Sequence, residues 1–210
     1  LEESPLYKDE YRTAWTEFDL KTANKLLDKI GLTERDDEGT RLLPDGRPAV
    51  ITIETAGEST EQTDVLELVR DSWRRIGIKL LSKPSQREVF RQRIYSGETI
   101  MSVWSGASNG IPTPLMSPQE FTPSSKLQLQ WPQWGHYIQS GGKSGAAPDL
   151  PSVKLLVDKN KAWFRATDVE TKRELWHEIL TNHADNVYII GLVNATKQPI
   201  VIHKKLRNIP

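Results

Sequence analysis

Cysteine is absent from this sequence, which excludes disulfides, thiolate metal sites and a cysteine nucleophile, and which suits an export compartment. An excess of one charge is also lacking: 28 Lys and Arg balance 28 Asp and Glu, so the chain has none of the basic surplus through which nucleic-acid binders hold phosphates. No apolar run reaches the length of about eighteen residues that a membrane-spanning helix needs. The sequence opens at Leu1 with neither a Met nor a signal-peptide pattern, and so reads as a processed protein or as a portion of a longer one. Its 210 residues suffice for one substantial domain with a real core.

Within those limits the chain reads as an alternation of strands and helices. Residues 1–18 show no period and read as an irregular lead-in. "DLKTANKLLDKIG" then predicts a helix capped by Asp19, with Leu20, Ala23, Leu26, Leu27 and Ile30 at helical spacing and Gly31 as its stop. Residues 33–48 carry two turn signals, Glu38-Gly39 and Asp45-Gly46, and predict a surface hairpin. From there strand 49–55, helix 61–77, strand 78–83, helix 85–97 and strand 99–106 follow in order. Such an order indicates βαβ units, hence an α/β fold with a mainly parallel sheet, flanking helices and right-handed crossovers. Two further helices are predicted at 152–166 and 168–186, the second capped by Asp168. An apolar run at 187–193 and a β-branched stretch at 198–206 close the chain.

Between the third strand and the late helices periodicity vanishes. The stretch from Ser105 to Pro151 holds Pro112, Pro114, Pro118, Pro123, Pro132, Pro148 and Pro151 together with Phe121, Trp131, Trp134 and Tyr137. It reads as a long irregular loop, 105–151, of the functional kind, since disordered segments are poor in aromatics. Gly142-Lys143-Ser144 within it ends as a phosphate-binding loop ends. The glycine such a loop needs five positions earlier is Tyr137, however, and neither a strand before nor a helix after supplies the setting.

Other chemistry fares no better. His177 and His183 are six apart, so they lie on opposite sides of a helix and cannot share a metal as the zinc-protease pair does. His136 and His203 have no companion at ligand spacing, and Ser105-Gly106-Ala107-Ser108 lacks the flanks of a nucleophile elbow. Nothing here calls for a metal, a cofactor or a catalytic residue. Trp73, Trp163 and Trp176 fall on apolar helix faces and read as core. Trp104 differs, because it ends a strand that leads into the long loop, and ligands of parallel sheets gather at strand carboxyl ends. Trp104, Trp131, Trp134 and Tyr137 therefore either line one recess as aromatic walls or form a small core under the loop.

"FDLKTANKLLDKIGL", "DEGTRLLPDGRPAVITIET", "LVRDSWRRIGIKL" and "REVFRQRIYSGETIMSVWSG", in this order and spacing, resemble the extracellular solute-binding proteins of family 5, receptors for peptide and related ABC importers. The resemblance is good over about residues 15 to 106 and weaker through "PQWGHYIQSGGKSGAAPDLP" and the late helices. It implies a periplasmic-binding-protein-like fold of two lobes around a cleft, of which residues 1–210 are one α/β lobe whose terminal segments lead to the other. It implies solute capture by hinge closure, a permease and the remaining lobe as partners, a monomeric state, and a periplasmic or lipid-anchored extracellular location. The family's ligand-facing segment falls on Trp104, Ser105, Gly106, Ala107, Ser108 and Asn109. Peptide-binding members often place an acidic residue there, yet no Asp or Glu lies between Glu98 and Glu120, which leaves room for a sugar or a modified peptide. The alternative is a stand-alone protein-interaction or carbohydrate-binding module.

Overall fold

The computed structural model describes residues 2–106, 111–192, 201–205 and 207. Its helices and strands follow the order α1 (Asp9–Thr13), α2 (Leu20–Lys29), β1 (Val50–Thr55), α3 (Thr60–Arg74), β2 (Lys79–Pro84), α4 (Arg87–Ser96), β3 (Met101–Ser102), a 3-10 turn (Pro118–Phe121), α5 (Pro132–Gln139), α6 (Pro151–Arg165) and α7 (Val169–Asn186). The strands form one sheet in the order β2-β1-β3, with β1 parallel to both neighbours, and the fold is α/β.

The sheet's two faces are set by alternation along β1. Ile53, with Ile51 beside it, packs on Leu80 of β2 and on Leu66, Val69 and Trp73 of α3. Glu54 points to the other face, where Arg93 of α4 meets it. Opposite faces follow from topology. The crossover from β1 to β2 runs one way, the crossover from β2 to β3 returns across β1, and right-handed connections then place their helices on opposite sides. Parallel pairing from Val50↔Lys79 to Thr55↔Pro84 brings the carboxyl ends of β1 and β2 level.

A second, helical layer holds the rest of the core. Trp163 of α6 and Leu175 and Trp176 of α7 bury against Leu6, while Leu156 and Ile179 bury against Trp131. The irregular chain after β3 is tied to this layer by two indoles, since Trp163 Nε1 donates to the Pro114 carbonyl and Trp176 Nε1 to that of Met116, each at 2.9 Å. Leu129 and Gln133 carry the contact across to α4, Leu129 on the Phe90 and Ile94 side chains and Gln133 Nε2 donating to the Tyr95 carbonyl.

Four expectations change. The lead-in contains the short helix α1, which is too brief to show a period. The strand expected over 99–106 pairs only at Met101 and Ser102, although the Val103 N–H still donates to the Glu54 carbonyl at 3.0 Å. The hairpin of 33–48 closes through two isolated bridges, Arg35↔Arg41 and Leu42↔Pro48. The segment 105–151 is not irregular throughout: it contains the 3-10 turn and α5, a helix that begins with Pro132, where a missing N–H costs nothing. Of the β-branched stretch 198–206, residues 201–205 are described and form no strand, while 198–200 and 206 lie outside the described residues.

Candidate functional site

The connections leaving β1 and β2 diverge, one to α3 on one face and one to α4 on the other. Where adjacent connections part in this way, an open parallel sheet leaves a crevice at its carboxyl edge. Here it is an open recess of about 760 Å³, with Ala56, Gly57 and Glu58 on one wall and Ser85, Gln86, Arg87 and Glu88 on the other. Gly57 lets the two loops approach. It has φ +66°, and a Cβ there would stand 3.1 Å from the Ser85 carbonyl oxygen. Arg87 bridges the walls by donating from Nε to Glu58 Oε1 at 2.7 Å and from Nη2 to Glu58 Oε2. These bonds hold the Glu58 carboxyl below its ordinary range and raise the guanidinium.

Trp104 stands beside this crevice on the α4 face. Its ring stacks on Phe90 with centroids 5.6 Å apart, and the guanidiniums of Arg87 and Arg91 lie 5.4 and 5.6 Å from it. Below it, Glu54 is 3% exposed at the end of β1 and takes the Arg93 guanidinium, which keeps its carboxyl low. Arg93 also reaches Glu98, at 2.8 Å. Two carboxylate–guanidinium pairs thus pin α4 to the end of β1, and Phe90 and Arg91, which hold Trp104, lie between them in sequence.

The other expected site residues fall in different places. Ser105 and Gly106 are exposed next to Trp104, while Ala107, Ser108 and Asn109 lie outside the described residues. Trp131 is 3% exposed, packed against Leu156 and Ile179 and edge-on to His183 and Tyr188, so it offers no open surface; Trp134 flanks the same cluster. Tyr137 is half-buried on α5, its ring against Gly142. The four aromatics are therefore divided, with Trp104 at the crevice edge and Trp131 and Trp134 in a small core. Arg87, Glu58 and Arg91 were missed because the rim of a crevice depends on strand order. The β-α-β-α-β alternation was the available signal, since it pointed to loops 56–59 and 85–86.

Gly142-Lys143-Ser144 proves to be the end of a helix. The Gly142 N–H returns to the Tyr137 carbonyl at 2.8 Å, and Ser144 N donates to Ser140 Oγ at 3.0 Å, closing α5 through residues of positive φ at Gly141 and Gly142. A helix C-terminus presents carbonyls and a partial negative charge, the wrong polarity for phosphate. His177 and His183 also separate: His177 Nδ1 meets Tyr11 Oη at 3.0 Å, and His183 Nε2 meets the Phe121 carbonyl at 2.7 Å. Among the described residues no group of three or more His, Asp or Glu is placed to hold a metal, and no helix is long and apolar enough to cross a membrane.

Residues 2–127 match the family described as bacterial extracellular solute-binding proteins, family 5 Middle. Among solved structures, the oligopeptide-binding protein OppA is 29% identical, with a TM-score of 0.75 over 88% of this chain and 31% of its own. The periplasmic binding protein MelB of Agrobacterium fabrum C58, in complex with stachyose, is 17% identical at TM-score 0.71, over 88% of this chain and 27% of its own. AppA from Bacillus subtilis, in complex with a nonapeptide, is 14% identical at TM-score 0.58, over 88% and 33%. MelB and AppA bear on the fold alone. The chain spans about a third of the length of these structures. No curated protein matches it.

Proposed function

The chain belongs to the bacterial extracellular solute-binding proteins of family 5, and from that premise we propose that it is one lobe of a two-lobed receptor that captures a solute and presents it to the permease of an ABC importer. The observation that carries this reading is the open crevice at the carboxyl edge of β1 and β2, with Trp104 on its flank. A recess open on one side buries half a ligand, and a second lobe closing over it would bury the rest. Trp104, Ser105 and Gly106 form the ligand-facing edge of this lobe, and Ser108 and Asn109, which follow them in sequence, belong to the same proposed ligand-binding segment. Catalysis has no part in this reading, and members of the family are binding proteins.

The solute is a peptide or an oligosaccharide. OppA and AppA are named for oligopeptides and MelB was solved with stachyose, so both classes stand beside this fold. The protein works outside the cytoplasmic membrane, free in a periplasm or held by a lipid, as a monomer and without a metal or cofactor.

Tryptophan fluorescence of the complete receptor, titrated with peptide and oligosaccharide pools beside a Trp104→Phe variant, tests the proposal. A saturable change that the variant loses is expected, and the pool that produces it gives the ligand class. Silence toward both pools would favour a protein-interaction module.

A further inference from the structure

Arg87 on the crevice rim and Arg91 beside it on α4 are two arginines whose hydrogen-bonding capacity is not used up. Arg87 spends Nε and Nη2 on Glu58, but its Nη1 has no hydrogen-bond partner among the described residues. Arg91, one turn further along α4, makes no hydrogen bond and no ion pair there, and it is exposed. The contrast with Arg93 on the same helix is plain, since Arg93 is committed to Glu54 and Glu98. Both guanidiniums are nevertheless placed, because each lies over Trp104, at 5.4 and 5.6 Å from the ring centroid.

A guanidinium is planar and weakly hydrated, so an aromatic face orients it while leaving its N–H edge open. Such an edge matches the two oxygens of a carboxylate in a bidentate arrangement. Glu88 also stands on the rim and leaves the local charges balanced, so recognition rests on the free N–H edges and their orientation rather than on a net field.

Resting on the solute-receptor reading above, we propose that Arg87 and Arg91, seated on Trp104, form a subsite for an acidic group, and that the captured solute carries a carboxylate held there. The carboxylate is the C-terminus of a peptide or the acid of a uronate sugar. Glu58 holds Arg87 in place and lies within electrostatic range of Arg91, and Arg91 is the selective residue because among the described residues no hydrogen bond or ion pair occupies its N–H edge.

The test is calorimetric titration of the complete receptor with pentaalanine, pentaalanine amide, trigalacturonate and a neutral tetrasaccharide, in the wild type and in Arg91→Gln. The proposal expects pentaalanine or trigalacturonate to bind, with its acid favoured over the uncharged counterpart by about tenfold, the scale of a charge-assisted hydrogen bond. Arg91→Gln should abolish that preference while its thermal unfolding stays like wild type. A preference for pentaalanine over its amide assigns the carboxylate to a peptide, and binding of trigalacturonate alone assigns it to a sugar acid. Equal binding of acid and amide, binding of the neutral sugar alone, or a preference that survives in Arg91→Gln overturns the subsite and leaves the receptor reading intact. Absence of binding by all four probes overturns both.

Discussion

Arg93 and Glu54 meet across the interface of α4 and β1 through three hydrogen bonds: Nε to Oε2 at 2.8 Å, Nε to Oε1 at 3.1 Å, and Nη2 to Oε1 at 2.9 Å. The carboxylate is buried and the guanidinium only partly covered. Glu54→Ala removes the buried member and its hydrogen bonds while Arg93 keeps Glu98 and some solvent, so it should cost about 1–3 kcal/mol. Urea unfolding with an unchanged slope and a lower midpoint would show it. The folded Glu54 carboxyl titrates below its ordinary 4.5, so this stabilisation is present above pH 4.5 and is lost as pH falls through the lower folded value. A variant as stable as wild type would mean that the pair's desolvation offsets its attraction.

His183 titrates in the opposite setting. Burial among Phe121, Trp131 and Tyr188 lowers its pKa from 6.5, with the bond to the Phe121 carbonyl opposing. The fold therefore prefers the neutral ring. Stability should be level above pH 6.5 and fall below it, as the unfolded chain takes a proton that the folded one resists until its lower pKa. His177, lowered by burial and then by Lys8 and Arg173, adds to the slope. Melting curves between pH 8 and pH 5 should show the decline, and His183→Gln should flatten it in part. An unaltered slope in that variant would assign the effect elsewhere.

The two groups of aromatics should answer differently to substitution. Trp131→Ala removes a buried ring and should cost about 3–5 kcal/mol. Trp104→Phe keeps an aromatic on Phe90 and should change stability by about 1 kcal/mol or less, yet remove the ligand-induced fluorescence change. Loss of that change in Trp131→Phe would instead place Trp131 at the ligand.

The glycine-rich loop after α5 should matter for shape alone. Gly142 has φ +85° and faces the Tyr137 ring, so Gly142→Ala should destabilise by about 1–2 kcal/mol. Lys143→Ala, at an exposed position, should change stability by about 0.5 kcal/mol or less and leave solute binding as it was. Loss of binding in Lys143→Ala would return the loop to the ligand site.

By itself, the sequence determined the local elements and their order. Asp19 and Asp168 each accept the expected cap bond, from the N–H of Thr22 at 2.9 Å and of Thr171 at 2.8 Å, because a cap involves only residues three apart. Likewise the β-α-β-α-β alternation between Val50 and Ser102 follows from periods visible within a few turns or pleats. Tertiary structure decided the strand order β2-β1-β3, and with it the faces of α3 and α4 and the place of the crevice. It also brought Glu54 to Arg93 and set Trp104 on Arg87 and Arg91 while burying Trp131 among α6 and α7. These pairings join residues far apart in the chain, and their energy exists only once the sheet and helices have closed on one another.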